Sequence, residues 1–204
     1  MAADTINEKS SSSSSREKII NSTLKLLAKT RDIKFTVRDI IQEAKVNIAS
    51  VNYYFGSKAK LLSEIQEIFF AKISELNNQI QTDFQNHPKE AISEWVYQLM
   101  AYLIENTGMI YFIRKLIVME PSSNIFHKQI NDEYLEILNQ YLEEIFPNLN
   151  KRDIHFKTLQ IVTSLFLPLA FSFESLKEIY SYDVTNPNQR RLYVQSLLDI
   201  ILRS

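Results

Sequence analysis

The 204-residue sequence predicts an all-α fold of about nine helices, and three observations carry that expectation. Apolar residues recur at helical spacing along most of the chain. Turn signals cut that periodicity into segments of helix length. Only two glycines and five prolines are present, which disfavours a sheet protein built on tight turns. A hydrophobic content of 45% suffices to bury one or two cores.

The elements follow in order. The polar start and the serine run Ser10–Ser15 predict a disordered tail over 1–15. Ser14-x-x-Glu17 matches a capping box, so the first helix is expected there, with Ile19, Ile20, Leu24, Leu26 and Leu27 as its apolar face. Thr36-x-x-Asp39 matches a second capping box, and Val37, Ile40, Ile41 and Ala44 give the helix behind it one buried stripe. Lys45-Val46-Asn47 interrupts, with Asn47 suited to cap a helix from Ile48 to Tyr54. That helix buries Val51 and Phe55 and turns Ser50, Asn52, Tyr53 and Tyr54 outward or to its edges. Gly56-Ser57 ends it and caps a long helix reaching about Phe84, whose first turn carries Lys58 and Lys60.

Beyond it, Pro88 opens a helix from Lys89 to Asn106, stopped by Thr107-Gly108. Further helices are expected from Met109 to Glu120 and from Asn124 to Phe146. Asn150 caps one running to about Tyr180 with Pro168 inside it. Asn186-Pro187 starts the last, which ends near Arg203. There is no internal repeat.

Two short helices broken by a turn, followed by a basic residue at the mouth of a third, are the layout of a helix-turn-helix DNA reader. The residue types suit that work. Asn52 can bond an adenine edge bidentately, and Arg38 can reach a guanine edge or a phosphate. Tyr53 and Tyr54 carry hydroxyls long enough to hold phosphates. Lys58, beside the free N–H groups of a helix start, makes a phosphate site. The bland alternative is a solvated helical hairpin whose tyrosines cover the core.

Charge supports the same end. The whole chain has a formal net charge of −1, which argues against a nonspecific nucleic-acid coat. Residues 16–62, however, hold ten Lys/Arg against four Asp/Glu, a net of +6, while residues 63–204 net −6. A basic head on an acidic body is the electrostatic footprint of a modular DNA binder.

From about Arg16 to Ile65 the chain resembles the DNA-binding domain of the tetracycline-repressor (TetR) family of bacterial regulators. The likeness rests on the first helix, on Phe35-Thr36-Val37-x-Asp39-Ile40, on Ala44-x-Val46, and on Val51-Asn52-Tyr53-Tyr54-Phe55-Gly56-Ser57-Lys58 before Leu61-Leu62. The resemblance implies that Thr36, Arg38, Ser50, Asn52, Tyr53, Tyr54 and Lys58 meet DNA, with Lys45 a further basic candidate. The family usually has glycine where Lys45 stands and another within Lys29-Thr30-Arg31-Asp32. A side chain in a left-handed turn there costs about 1 kcal/mol. Tyrosine is commoner than asparagine at position 52, which implies a distinct operator preference.

The body is expected to join two copies and to hold an effector. Residues 154–176 are apolar on nearly every side, and the last helix (187–203) has more than one apolar stripe. A helix apolar all round must be buried all round. These two segments are therefore the expected homodimer interface, a four-helix arrangement with two-fold symmetry, as the resemblance also implies. A dimer suits a reader of a palindromic operator in double-stranded DNA. Trp95, Leu99 and Tyr102 share one stripe, and Met109, Phe112, Leu116 and Met119 another. With Phe126 and Phe166 they are candidate walls of a chamber for a small apolar or aromatic effector, an idea that the resemblance supports, although such stripes are more often plain core.

Nothing supports an enzyme. Glycine-rich phosphate loops, HExxH and serine elbows are lacking, and His87, His127 and His155 are scattered without metal-ligand spacing. No cofactor or metal is expected. Zero cysteines fit a reducing compartment. The start has no apolar core of a signal peptide, and the run Ile161 to Phe173 is too short to span a bilayer, so a cytoplasmic protein without membrane contact is expected. The expected function is a ligand-responsive, sequence-specific transcriptional repressor. The alternative is a helical small-molecule-binding or adaptor protein without DNA-binding activity.

Overall fold

The computed structural model describes residues 2–119, 135–170 and 173–203, with side chains from Ser15 onward except at 83, 117–119, 167, 170 and 173–176. The described residues form ten helices and no strand. These are α1 (Ala2–Thr30), α2 (Val37–Ala44), α3 (Ile48–Phe55), α4 (Lys58–Phe84), α5 (Pro88–Glu105), α6 (Thr107–Met119), α7 (Glu136–Ile145), α8 (Lys151–Ala170), α9 (Phe173–Tyr180) and α10 (Pro187–Ile201). The expected helix over 124–146 is described only from residue 135, and Phe126 and His127 lie outside the described residues.

Two expectations about helix ends need correction. The backbone is helical from Ala2, so Ser14 lies inside α1 rather than at its cap. Once a helix is nucleated, each further residue adds one hydrogen bond, and serine is only modestly worse than alanine. At the other end, the helix expected to run on to Tyr180 is two elements, α8 and α9. Pro168 sits in the last turn of α8, where it lacks an N–H and crowds the carbonyl of Ser164.

The chain divides into two compact units, Met1–Ala71 with Asn106–Leu116, and Lys72–Glu105 with Ile117–Ser204. The expected boundary at 62/63 thus falls inside α4, a continuous helix. In the first unit α1, α2 and α3 pack mutually around Ile19, Leu27, Ile40, Val51, Phe55, Leu61 and Ile65, all buried. Burying such side chains supplies about 1.5–3 kcal/mol each before entropy is counted.

The start of α6 joins this unit through Gly108. A Cβ at that position would lie 2.0 Å from the Leu24 carbonyl oxygen. The sequence pattern made Thr107-Gly108 a helix stop. Instead both residues are helical, and the missing side chain admits close approach of α6 to α1.

In the second unit α8 packs on α5, α7, α9 and α10, and α5 packs on α7 and α10. Its core includes Ile92, Val96, Met100, Leu103, Leu142, Ile154, Ile161, Val184 and Val194. Two buried polar pairs form there: Trp95 Nε1 donates to Asn77 Oδ1 at 2.9 Å, and Thr158 Oγ1 to Asn139 Oδ1 at 2.6 Å. Such pairing matters because an orphaned buried polar atom costs about 1–3 kcal/mol. The expected caps form here too. Asn150 Oδ1 accepts from Asp153 N, and Asn186 Oδ1 accepts from Asn188 N and Gln189 N ahead of Pro187.

Candidate nucleic-acid interface

The reader is built by local chemistry. Thr36 caps α2 reciprocally, its N–H donating to Asp39 Oδ2 at 2.6 Å while Asp39 N donates to Thr36 Oγ1 at 3.3 Å. The Thr36 hydroxyl also donates to Asp39 Oδ2, so it reaches outward only as an acceptor. These bonds, first the Thr36 N–H and then its hydroxyl, hold the Asp39 carboxyl below the usual carboxylate range, helped by the nearby Lys58 charge.

The turn that follows is left-handed. Lys45 takes φ 54°, ψ 43°, and its N–H and that of Val46 both return to the Ile41 carbonyl. Its side chain is exposed. Asn47 then caps α3, its Oδ1 accepting from Ser50 N at 2.8 Å and from Ser50 Oγ at 3.0 Å. Ser50 is therefore half-buried, with its hydroxyl proton committed to the cap.

Helix α3 buries Val51 and Phe55 and presents Asn52 and Tyr53 to solvent, Tyr53 at 81% exposure. Tyr54 is half-buried, its ring edge-on to Tyr53 at 5.0 Å between centroids. Arg38 is exposed on α2. Gly56 (φ 70°) ends α3, and Ser57 Oγ accepts from Lys60 N to cap α4.

Residues 19–65 match the family model described as bacterial regulatory proteins, tetR family. The head is a TetR-family domain. Solved structures share the helical fold. PfmR, a TetR family transcriptional regulator from Thermus thermophilus, superposes with TM-score 0.68 at 18% identity, covering 93% of this chain and 96% of that one. A TerR/AcrR family transcriptional regulator from Aquifex aeolicus gives 0.66 at 18%, covering 92% and 99%. The fatty acid degradation regulator FadR from Bacillus halodurans gives 0.64 at 16%, covering 91% and 97%. No curated protein matches the chain significantly in sequence.

Two residues of the TetR-type head add to the sequence expectation. Ile48, on the first turn of α3, is not among the expected contacts and is 52% exposed. An exposed apolar side chain there suits contact with a thymine methyl, and only its place on the helix's first turn reveals it. Lys58 is half-buried, and its ammonium donates to the carbonyls of Ile33 and Phe35. Desolvation pushes its pKa down, against the pull of Asp39 and Asp32.

The expected chamber residues are split between the two units. Trp95, Leu99, Tyr102 and Phe166 belong to the second unit, where Trp95 and Leu99 are buried and the other two half-buried. Met109, Phe112 and Leu116 belong to the first, where Leu116 is half-buried and the others buried. The Met119 side chain and Phe126 lie outside the described residues. Three surface cavities of the second unit measure about 1040, 360 and 210 Å³. Trp95 lines the smallest, and no other expected chamber residue lines any of the three. Among the described residues no helix is long and apolar enough to cross a membrane, and no group of three or more His, Asp or Glu is placed to hold a metal ion.

Proposed function

We propose that this protein is a ligand-responsive transcriptional repressor that acts as a homodimer on a palindromic operator. The observation that carries the reading is the outward set Arg38, Lys45, Ile48, Asn52 and Tyr53 on two capped helices of a TetR-type head. Arg38 and Asn52 supply donors for base edges, while Lys45 and Tyr53 supply phosphate contacts. Thr36, Ser50 and Tyr54 stand at the rim of that set.

A dimer through α8 and α10 is supported by what those helices leave uncovered. Phe156 and Leu159 on α8 are 54% and 57% exposed, and Leu192 and Ile200 on α10 are 65% and 67% exposed. Their opposite faces, Ile154, Ile161 and Leu165 on α8 and Val194 and Leu198 on α10, are buried. Two copies joined there bring their heads about 34–36 Å apart to meet successive major grooves. A small apolar or aromatic effector, housed in the second unit beside Trp95, Leu99 and Tyr102, releases DNA by favouring the detached state. A cytoplasmic location fits this work.

Electrophoretic mobility of genomic duplex fragments at moderate salt, with light scattering for mass, tests the reading. Retarded fragments sharing an inverted repeat and a mass of two chains are expected. A monomer that prefers no duplex sequence sinks the proposal and favours a small-molecule-binding or adaptor role.

A further inference from the structure

We infer that Lys58 is a positioning residue: its ammonium ties the turn between α1 and α2 to the first turn of α4 and so sets where the reader presents its side chains. The consequence for DNA rests on the reading proposed above, whereas the tie itself belongs to the free protein.

Three contacts define the tie. The Lys58 Nζ donates to the carbonyls of both Ile33 and Phe35, and it lies 4.4 Å from the centre of the Phe35 ring. Residues 31–36 lie outside any helix, so these carbonyls have no partner from a helical ladder. An ammonium has three donors and no acceptor, which suits it to gather two carbonyls from one turn.

Phe35 is buried and immediately precedes Thr36, the cap of α2. Holding the Phe35 carbonyl therefore holds the cap, and through it Arg38 on α2. Asp39, which completes that cap, and Asp32 both lie close enough to favour the lysine's charge. An ammonium that serves two carbonyls in a half-buried site is unlike a lysine free to swing toward a phosphate. Lys34 and Lys60, by contrast, are exposed.

The test compares full-length Lys58→Met, which keeps much of the apolar stem, with Lys58→Arg, which keeps the donors. In Lys58→Met, amide exchange at Asp39 and Ile40 is expected to quicken about 10-fold and melting to fall by about 5 °C. Affinity for the preferred duplex is expected to drop about 10-fold, with binding to random duplex and the salt slope unchanged. Lys58→Arg should recover at least half of the lost protection and affinity.

Unchanged exchange at Asp39 and Ile40, or a salt slope flattened by about one unit as a lost phosphate contact gives, overturns the inference. Should Lys58→Met not fold, ¹⁵N detection of the wild-type ammonium decides. A resolved, slowly exchanging Lys58 signal supports the tie, and one in fast exchange with water overturns it. If the wild type binds no duplex, the DNA reading falls while the exchange and melting results still judge the tie.

Discussion

The Tyr193 hydroxyl donates to the main-chain carbonyl of Ser164 at 2.6 Å. Ser164 is the residue whose carbonyl Pro168, four positions on, cannot serve. A side chain of α10 thus takes over a hydrogen bond that proline removed from α8. The Lys157 ammonium ties the same two helices at their other ends, donating to the carbonyls of Ile201 and Arg203.

Tyr193→Phe leaves that carbonyl orphaned and is expected to cost about 1–3 kcal/mol, read by chemical denaturation. Pro168→Ala restores a backbone donor. The loss from Tyr193→Phe should then shrink by at least about 0.5 kcal/mol in a double-mutant cycle. Strict additivity would show that the two residues do not share the carbonyl.

Gly108→Ala should destabilise the protein, although glycine-to-alanine changes within helices ordinarily stabilise by about 0.5–1 kcal/mol. The added methyl meets the Leu24 main chain, which cannot swing aside as a side chain can. A loss of about 1–3 kcal/mol is expected from overpacking. A melting temperature that stays level or rises refutes the close approach.

Lys45→Gly should stabilise by up to about 1 kcal/mol, because only glycine occupies a left-handed turn without strain. Arg31 has φ 55° as well, but its guanidinium lies 5.7 Å from the centre of the Tyr111 ring. Arg31→Gly gives up that contact, so its gain should be smaller. Urea midpoints of the two variants check the ranking.

Asn52→Ala should relax base preference at one operator position, at a discrimination cost of about 1–3 kcal/mol. Selection of bound sequences from a random pool is the readout. An unchanged preferred sequence removes Asn52 from the reading set.

Acid should weaken the head through Asp39. Its folded pKa is lowered, so its contribution is fully present above the unfolded value of about 3.9 and is lost as pH falls through the lower folded value. Asp32, held low first by the Ile33 N–H and then by Lys115, acts in the same direction. The gap in melting temperature between wild type and Asp39→Asn should therefore be widest above pH 4 and close below it. A gap that widens in acid reverses the sign and rejects the assignment.

Much of the head was legible because its signals are local. Thr36 with Asp39 and Asn47 with Ser50 cap within three residues, and Val51 with Phe55 recur at helical spacing, so propensity and periodicity agree with the fold. Arg31 and Lys45 take φ of 55° and 54°, the left-handed geometry that favours glycine, and no local pattern marks it. Gly108 misled because a glycine between two helical patterns reads as a stop, whereas its use is contact with Leu24, more than eighty positions earlier in the chain. Ile48 went unassigned because period alone cannot tell a helix's exposed first turn from its buried middle.

By itself the sequence determined the helices of the reader, the caps at Thr36, Asn47, Asn150 and Asn186, and the basic head, since each depends on groups a few residues apart. Tertiary structure alone decided that the Lys58 ammonium turns inward to Ile33 and Phe35, that Tyr193 serves Ser164, and that Gly108 admits α1. Those outcomes depend on which distant carbonyls lack a partner and on how closely two backbones approach, and neither is written in a local pattern.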